Sequence, residues 1–215
     1  MITVLIAGDE KYRPYVENGK KTTEALGYPT LIYDLGNSGI GKKFNTRVSH
    51  KMFQTFPGKP AVMLDALEYI PENEYLVYLD ADAIIQRKID EICQDYDLAV
   101  TLRKQPMEDP RGSSINAGII FVRNTSQAKE FLKIWSKLAD ELNGDQWALN
   151  KLTNFIVSDV DKTIICNNTK IHCFPCTIYN NFYFGDDQSQ AKILHYKMSA
   201  PRKNLYPEYP FNQKD

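Results

Sequence analysis

The sequence predicts an α/β chain, Rossmann-like in its first half and irregular and β-rich in its second. Three observations carry this. Residues 3–7, 75–79 and 117–122 are continuous apolar and β-branched runs, the pattern of strands buried on both faces. Polar or amphipathic stretches of helical character separate them, with glycine and proline punctuation between. The run at 75–79 leads straight into Asp80-Ala81-Asp82, at the carboxyl edge where open α/β sheets hold their ligands.

Residues 3–7 form the first strand, and a polar, helical stretch continues to Leu26. Gly27-Tyr28-Pro29 punctuates it, and residues 30–35 read as the second strand. Residues 36–41 hold three glycines and form a loop; residues 48–56 read as helix, stopped by Pro57-Gly58. Pro60 fits the first turn of another helix, where its missing N–H costs nothing. Met63, Leu67 and Ile70 share one face of that helix, and Pro71 ends it. After the strand at 75–79 come a strand at 97–102 and a polar loop at 103–114 with Pro106, Pro110 and Gly112. The strand at 117–122 follows. Asn124 with Gln127 is the expected capping pair for the next helix, striped by Phe131, Trp135, Leu138 and Leu142. A short helix starts near Asp145, and residues 193–196 make a last strand.

The chain has 215 residues, 43% hydrophobic and 25% charged, enough for one domain with a real core. Its 26 basic and 27 acidic side chains nearly cancel, which disfavours nucleic acid or an anionic membrane as the partner. The N-terminus lacks a basic region and a long apolar run, and no stretch approaches a spanning helix, so a cytoplasmic protein is expected. The sequons at Asn124 and Asn167 then carry no meaning unless the protein is secreted. Cys93, Cys166, Cys173 and Cys176 are expected as free thiols. Cys173-Phe174-Pro175-Cys176, with Cys166 and His172 nearby, is an incomplete zinc-knuckle pattern that leaves structural zinc as the alternative.

The chemistry centres on Asp80 and Asp82. Two carboxylates delivered by a buried strand are costly unless something positive neutralises them. Mg²⁺ or Mn²⁺, hard cations that share oxygen ligands with phosphates, would do so. Two solvated aspartates at a strand exit are the plain alternative. Four other stretches accompany the pair in order: Lys59-Pro60, Asn116-Ala117-Gly118 with its apolar strand, Asp145-Gln146, and His195. Tyr179-Asn180 lies between the last two.

Together these resemble GT-A glycosyltransferases, closest to the patterns of glycosyltransferase families 8 and 34, over residues 1 to about 205. The resemblance implies a single GT-A catalytic domain over 1–215, with a mixed central sheet flanked by helices. Its nucleotide-binding half would be about 1–102 and its irregular acceptor-side half about 103–215. It implies a metal-dependent transfer from a nucleotide-diphosphate sugar, UDP-linked rather than GDP-linked, to a glycan or other small acceptor, with retention. Asp80, Asp82 and His195 would hold Mn²⁺ (or Mg²⁺); Asp145 and Gln146 would sit near the anomeric carbon. Tyr12, Lys59, Asp80, Ala81, Asn116, Lys197 and Lys203 would contact the donor.

Each residue keeps a plainer role beside this one. Lys59 at a helix N-terminus opposes the macrodipole, which suits a diphosphate partner or merely a solvated lysine. Asn116 could bind sugar hydroxyls or cap a turn. Asp145 could take a hydroxyl, N-cap its helix, or both. His195 could be a metal ligand or structural. Tyr12 could stack on the base. Asp109, Asp186 and Asp187 fit no inverting motif. The tail departs from family 8, lacking its glycine and Pro-Trp, so which of Lys197, Arg202 and Lys203 meets the diphosphate stays open. Two rival readings exist. A silent sugar-nucleotide or glycan-binding module would share the fold without turnover. A P-loop NTPase is suggested by Gly36 to Lys43, but Lys43 stands where Mg²⁺ needs Ser or Thr.

Overall fold

The computed structural model describes residues 1–8, 12–34, 58–103, 114–182 and 188–196. Strand β1 (Ile2–Gly8) is buried throughout and pairs in parallel with β2 (Thr30–Asp34) and β3 (Tyr75–Asp80). Parallel neighbours need a crossover. Helix α1 (Arg13–Ala25) supplies it, with Pro14 in its first turn and Gly27, at φ 89°, turning the chain back toward β2. Helix α2 (Lys59–Ala66) continues as a 3₁₀ turn at Leu67–Tyr69 before β3.

After β3 come β4 (Ala83–Ile85), β5 (Leu98–Leu102) and β6 (Ile115–Arg123), then helices α3 (Ser126–Leu142) and α4 (Asp145–Thr153). The hairpin β7 (Thr163–Cys166) and β8 (Thr169–Pro175) leads into the single turn α5 (Cys176–Tyr179), then β9 (Asn181–Phe182) and β10 (Ile193–His195). The main sheet has seven strands in the order β2-β1-β3-β6-β5-β8-β7, with β6 antiparallel to both neighbours. A second, three-stranded sheet has the order β4-β10-β9. The expected mixed sheet flanked by helices is therefore present.

One face packs on α2, α3 and α4, where Met63, Leu67, Phe131, Leu132 and Trp135 meet Leu5, Leu76 and Val122. The other face packs Val16 of α1 and the aromatics Tyr96, Phe121 and Phe174 against Val4, Ile6 and Val77. Burial of this apolar surface is the main stabilising term.

Three expectations need correction. The N-cap of α3 is Thr125, whose hydroxyl accepts from the Ala128 N–H at 3.1 Å. Asn124 is buried instead, and its Nδ2 donates to the carbonyl of Ile70 and to that of Leu67, which also accepts the Ile70 N–H, where α2 ends in a 3₁₀ turn. Of the α3 stripe, Leu142 is exposed, at the final turn of its helix. The second half is also more regular than expected, because β8 enters the main sheet beside β5. A signal for its hairpin was available: Asn167 and Asn168 both take positive φ, 49° and 59°, the two-residue mirror turn that Asn favours. The helix expected at 48–56 lies outside the described residues. None of the four cysteines is in a disulfide; Cys173 and Cys176 are buried, and burial pushes the Cys173 thiol up to about 12. The His172 Nδ1 bonds the Thr163 hydroxyl at 2.9 Å.

Candidate active site

The carboxyl ends of β1 and β3 form one edge of the main sheet. Because β6 runs antiparallel to β3, pairing Ile119 with Leu79, the start of β6 overhangs the same edge. Asp80 ends β3, and Asp82 lies in the turn to β4. That short strand pairs antiparallel with β10, so that Ala83 faces His195, and the Tyr196 N–H donates to the Asp82 carbonyl at 2.9 Å. The register thus delivers His195 from the far end of the chain to the two aspartates.

His195 Nε2 lies 3.2 Å from Asp82 Oδ1 and 3.7 Å from Asp80 Oδ2. Ligand atoms of the three residues all fall within 4.8 Å of one another. Among the described residues, this is the group of three or more such side chains gathered closely enough to hold a cation. Two carboxylates and one imidazole suit Mn²⁺, and Mg²⁺ through the oxygens. The donor set fits a divalent metal.

Gly118 makes this approach possible. A Cβ there would lie 2.2 Å from His195 Cε1, 2.6 Å from Nδ1 and 3.0 Å from Asp80 Oδ2. The β5–β6 pairing is irregular at this point. Ala99 faces Phe121 and Thr101 faces Asn116, so two steps along β5 match five along β6. Such bulges bend strands beside functional sites.

Lys59 opens α2 and is 6% exposed. Its Nζ lies 2.6 Å from Asp80 Oδ1, 3.3 Å from Asp145 Oδ2 and 3.4 Å from the Ala117 carbonyl, over the Tyr78 ring. Burial works against the ammonium, but Asp145 and Asp80 together outweigh it and hold its pKa above the ordinary lysine range. The solvated-lysine alternative is therefore replaced by an ion-paired triad, Asp145–Lys59–Asp80, in which Lys59 and Asp145 are buried and Asp80 is partly exposed.

Asp145 begins α4, and its Oδ1 accepts the Gln146 N–H at 2.6 Å, a charge favourably placed at a helix N-terminus. Burial pushes its carboxyl up; Lys59 pulls it back only in part. The Trp135 Nε1 donates to the Asp145 carbonyl at 2.8 Å and anchors the turn to α3. Gln146 Oε1 accepts from the Ala117 N–H at 3.2 Å and from Arg103 Nη2 at 3.5 Å. Arg103 also donates from Nη1 to the Ile115 carbonyl.

With that geometry in place, the sequence profile of nucleotide-diphospho-sugar transferases matches residues 41–200. The chain belongs to the nucleotide-diphospho-sugar transferase family. Its fold is the GT-A fold of glycosyltransferases. Among solved structures it is similar to a glycosyltransferase involved in glycosylation of the major capsid of PBCV-1. The two share 17% identity and a TM-score of 0.62 over 95% of this chain and 98% of that one. It is similar to the glycosyltransferase GlyE of Streptococcus pneumoniae TIGR4, at 18% identity and TM-score 0.58, over 92% of this chain and 54% of that one. It is also similar to the galactosyltransferase LgtC, at 15% identity and TM-score 0.54, over 93% and 88%. No curated protein sequence matches the chain.

In this transferase the structure brings Asp80, Asp82, His195, Lys59 and Asp145 into one group, with Gln146 beside it. Ala81 is buried next to the end of β1: a Cβ on Gly8 would lie 3.4 Å from its own. Tyr12, half-buried at the start of α1, sits at that same end of β1, its ring 6.1 Å from that of Tyr15. Asn116 is buried, and its side chain faces inward to Asn180 and Gly118. Lys197, Lys203, Arg202, Asp109, Asp186, Asp187 and the glycine-rich loop at 36–43 lie outside the described residues. Among those described, no helix is long and apolar enough to cross a membrane. Three contributors had no role assigned from sequence: Gly118 and Asn180, although both stand in quoted stretches, and Tyr15, whose phenol is pushed up by burial and then by Asp82. Position next to the motif residues was their only signal.

Proposed function

We propose that the transferase moves a sugar from a UDP-sugar to a glycan or other small acceptor, with retention, using a divalent cation at Asp80, Asp82 and His195. The convergence of those three side chains at the sheet edge carries this reading. Mn²⁺ (or Mg²⁺), once bound, would offset the diphosphate charge and help the nucleotide leave. Lys59 pairs with Asp80 at 2.6 Å and would add positive charge where the diphosphate would lie. Tyr12, at the adjacent end of β1, would stack on the base. Lys197 and Lys203, which follow His195 in sequence, would reach the diphosphate; Asn116 would border the donor sugar from β6, one residue after the strand begins. In this arrangement the nucleotide-binding half is about 1–102, and the remainder faces the acceptor.

Retention is supported by Asp145. Its Oδ1 accepts its own helix N–H, and its buried Oδ2 is ion-paired with Lys59 at 3.3 Å, which suits a fixed negative charge beside developing positive charge on the sugar. A free base for the acceptor hydroxyl would need an unengaged carboxylate. Asp145→Asn is expected to lower kcat by about 100-fold while leaving UDP affinity within about threefold. The product's anomeric proton coupling reads the stereochemistry directly: a β-linked product from an α-linked donor would overturn retention.

The decisive test of the reading is a thermal-shift panel of UDP, GDP and ATP with and without Mn²⁺. UDP with Mn²⁺ is expected to stabilise the fold by about 2–3 kcal/mol at a hundredfold excess over Kd, and EDTA to remove the effect and the turnover. Stabilisation by ATP alone, or turnover untouched by EDTA, would defeat it. UDP-dependent stabilisation without any transfer would instead leave a silent binding module.

A further inference from the structure

A neutral imidazole carries one proton, and only the nitrogen without it can ligate a metal. His195 presents Nε2 to Asp82 and Asp80, so Nε2 must be bare for the cation reading to hold. A carboxylate 3.2 Å away would by itself draw the proton to Nε2, the unproductive form. Something must hold the proton on the other nitrogen.

His195 Nδ1 lies 2.8 Å from Asn180 Oδ1. The orientation of that amide is determined by its other partners. Asn180 is 1% exposed, on the turn after α5. Its Nδ2 donates to Thr101 Oγ1 at 2.7 Å and to the Asn116 carbonyl at 3.1 Å. Its Oδ1 also accepts from Asn116 Nδ2 at 3.1 Å. The Thr101 hydroxyl donates to the Asn116 carbonyl at 2.9 Å, so its lone pair is what Nδ2 meets. Asn116 Oδ1 is itself occupied by the Gly118 N–H at 3.3 Å. Turning the Asn180 amide over would set its oxygen against the Asn116 carbonyl and its NH₂ against the Asn116 NH₂. The network therefore admits one orientation, with an oxygen facing Nδ1. An unprotonated Nδ1 would face that oxygen lone pair to lone pair.

We propose that Asn180 is the positioning residue of the metal site. Held by Thr101 and Asn116, it locks His195 in the Nδ1–H tautomer and leaves Nε2 bare toward Asp80 and Asp82. This rests on the reading of those three residues as cation ligands. Groups that orient a ligating histidine through its second nitrogen commonly govern metal affinity. The β5–β6 bulge has a purpose here, since it sets Thr101 opposite Asn116.

The test uses ¹⁵N NMR of the imidazole nitrogens in the metal-free protein, followed upward in pH until the spectrum no longer changes and the ring is neutral. The chain has three histidines, which keeps assignment simple. Wild-type His195 is expected as Nδ1–H with an unprotonated Nε2 shift; in Asn180→Ala, the Nε2–H form should become populated through Asp82. Mn²⁺ affinity, read by electron paramagnetic resonance, should then fall about 10- to 100-fold. An Nε2–H tautomer in the wild type overturns the proposal whatever happens to the variant, as does unchanged Mn²⁺ affinity in a folded Asn180→Ala. If wild type binds no Mn²⁺ yet shows Nδ1–H, the cation reading fails while the role of Asn180 in setting the tautomer stands.

Discussion

Gly118→Ala is expected to abolish Mn²⁺ binding and to lower turnover at least about 1000-fold, as completely as Asp80→Asn, although it removes no ligand. The added methyl would sit 2.2 Å from His195 Cε1 and 3.0 Å from Asp80 Oδ2. His195 cannot retreat without breaking its 2.8 Å contact with Asn180 and the β4–β10 pairing that places it. Asp80 is held from its other oxygen by Lys59. Overpacking of this kind costs about 1–3 kcal/mol, which a domain of this size tolerates, so the variant should fold. Calorimetric titration with Mn²⁺, beside a thermal melt, separates the outcomes. A folded Gly118→Ala protein with turnover within about tenfold of wild type would show that His195 and Asp80 are not needed in their present positions.

Lys59→Met should destabilise the fold by about 3–5 kcal/mol at neutral pH, because it leaves Asp145 and Asp80 without the ammonium between them. The loss should shrink as the pH falls. Asp145 already has a raised pKa in the folded protein, owing to burial that Lys59 only partly offsets. A raised value means the native state holds the proton more tightly than the unfolded one. Stability from this group is thus fully present below the unfolded value of about 3.9 and falls as the pH rises through the native value. Without Lys59 the native value moves higher still, so protonation relieves the variant over a wider and higher range. Urea denaturation at about pH 5 and pH 7 should give a smaller difference from wild type at the lower pH. Equal differences at both would mean that Asp145 is not the group left exposed to its own charge. In the wild type, Lys59's raised pKa contributes stability that persists through neutral pH and is lost only in the alkaline range.

Local pattern determined the parts of this protein. Buried strands show as unbroken apolar runs, so β1, β3 and β6 were legible, as was the exit of β3 into Asp80 and Asp82. The start of α4 at Asp145 was legible from the same short-range rules, and the order of the motifs pointed to the family before any contact was known. The helix entry at Thr125 was missed by one residue, because Asn124 is used by α2 and not by its own helix.

Tertiary structure decided the contacts. Lys59 stands at a helix start in a pattern that fits a phosphate or water equally well, yet its partners are carboxylates on β3 and α4. His195 reaches Asp82 only through the register of β10 on β4; a strand at β10 was legible in the sequence, but its pairing with the three residues that follow Asp82 was not. Asn180 meets Thr101 across 79 positions because β8 lies beside β5 and a bulge sets Thr101 opposite Asn116. Periodicity and capping act over a few residues and are written in neighbours. Sheet order and register are set by the packing of the whole core, and they alone bring these side chains into one site.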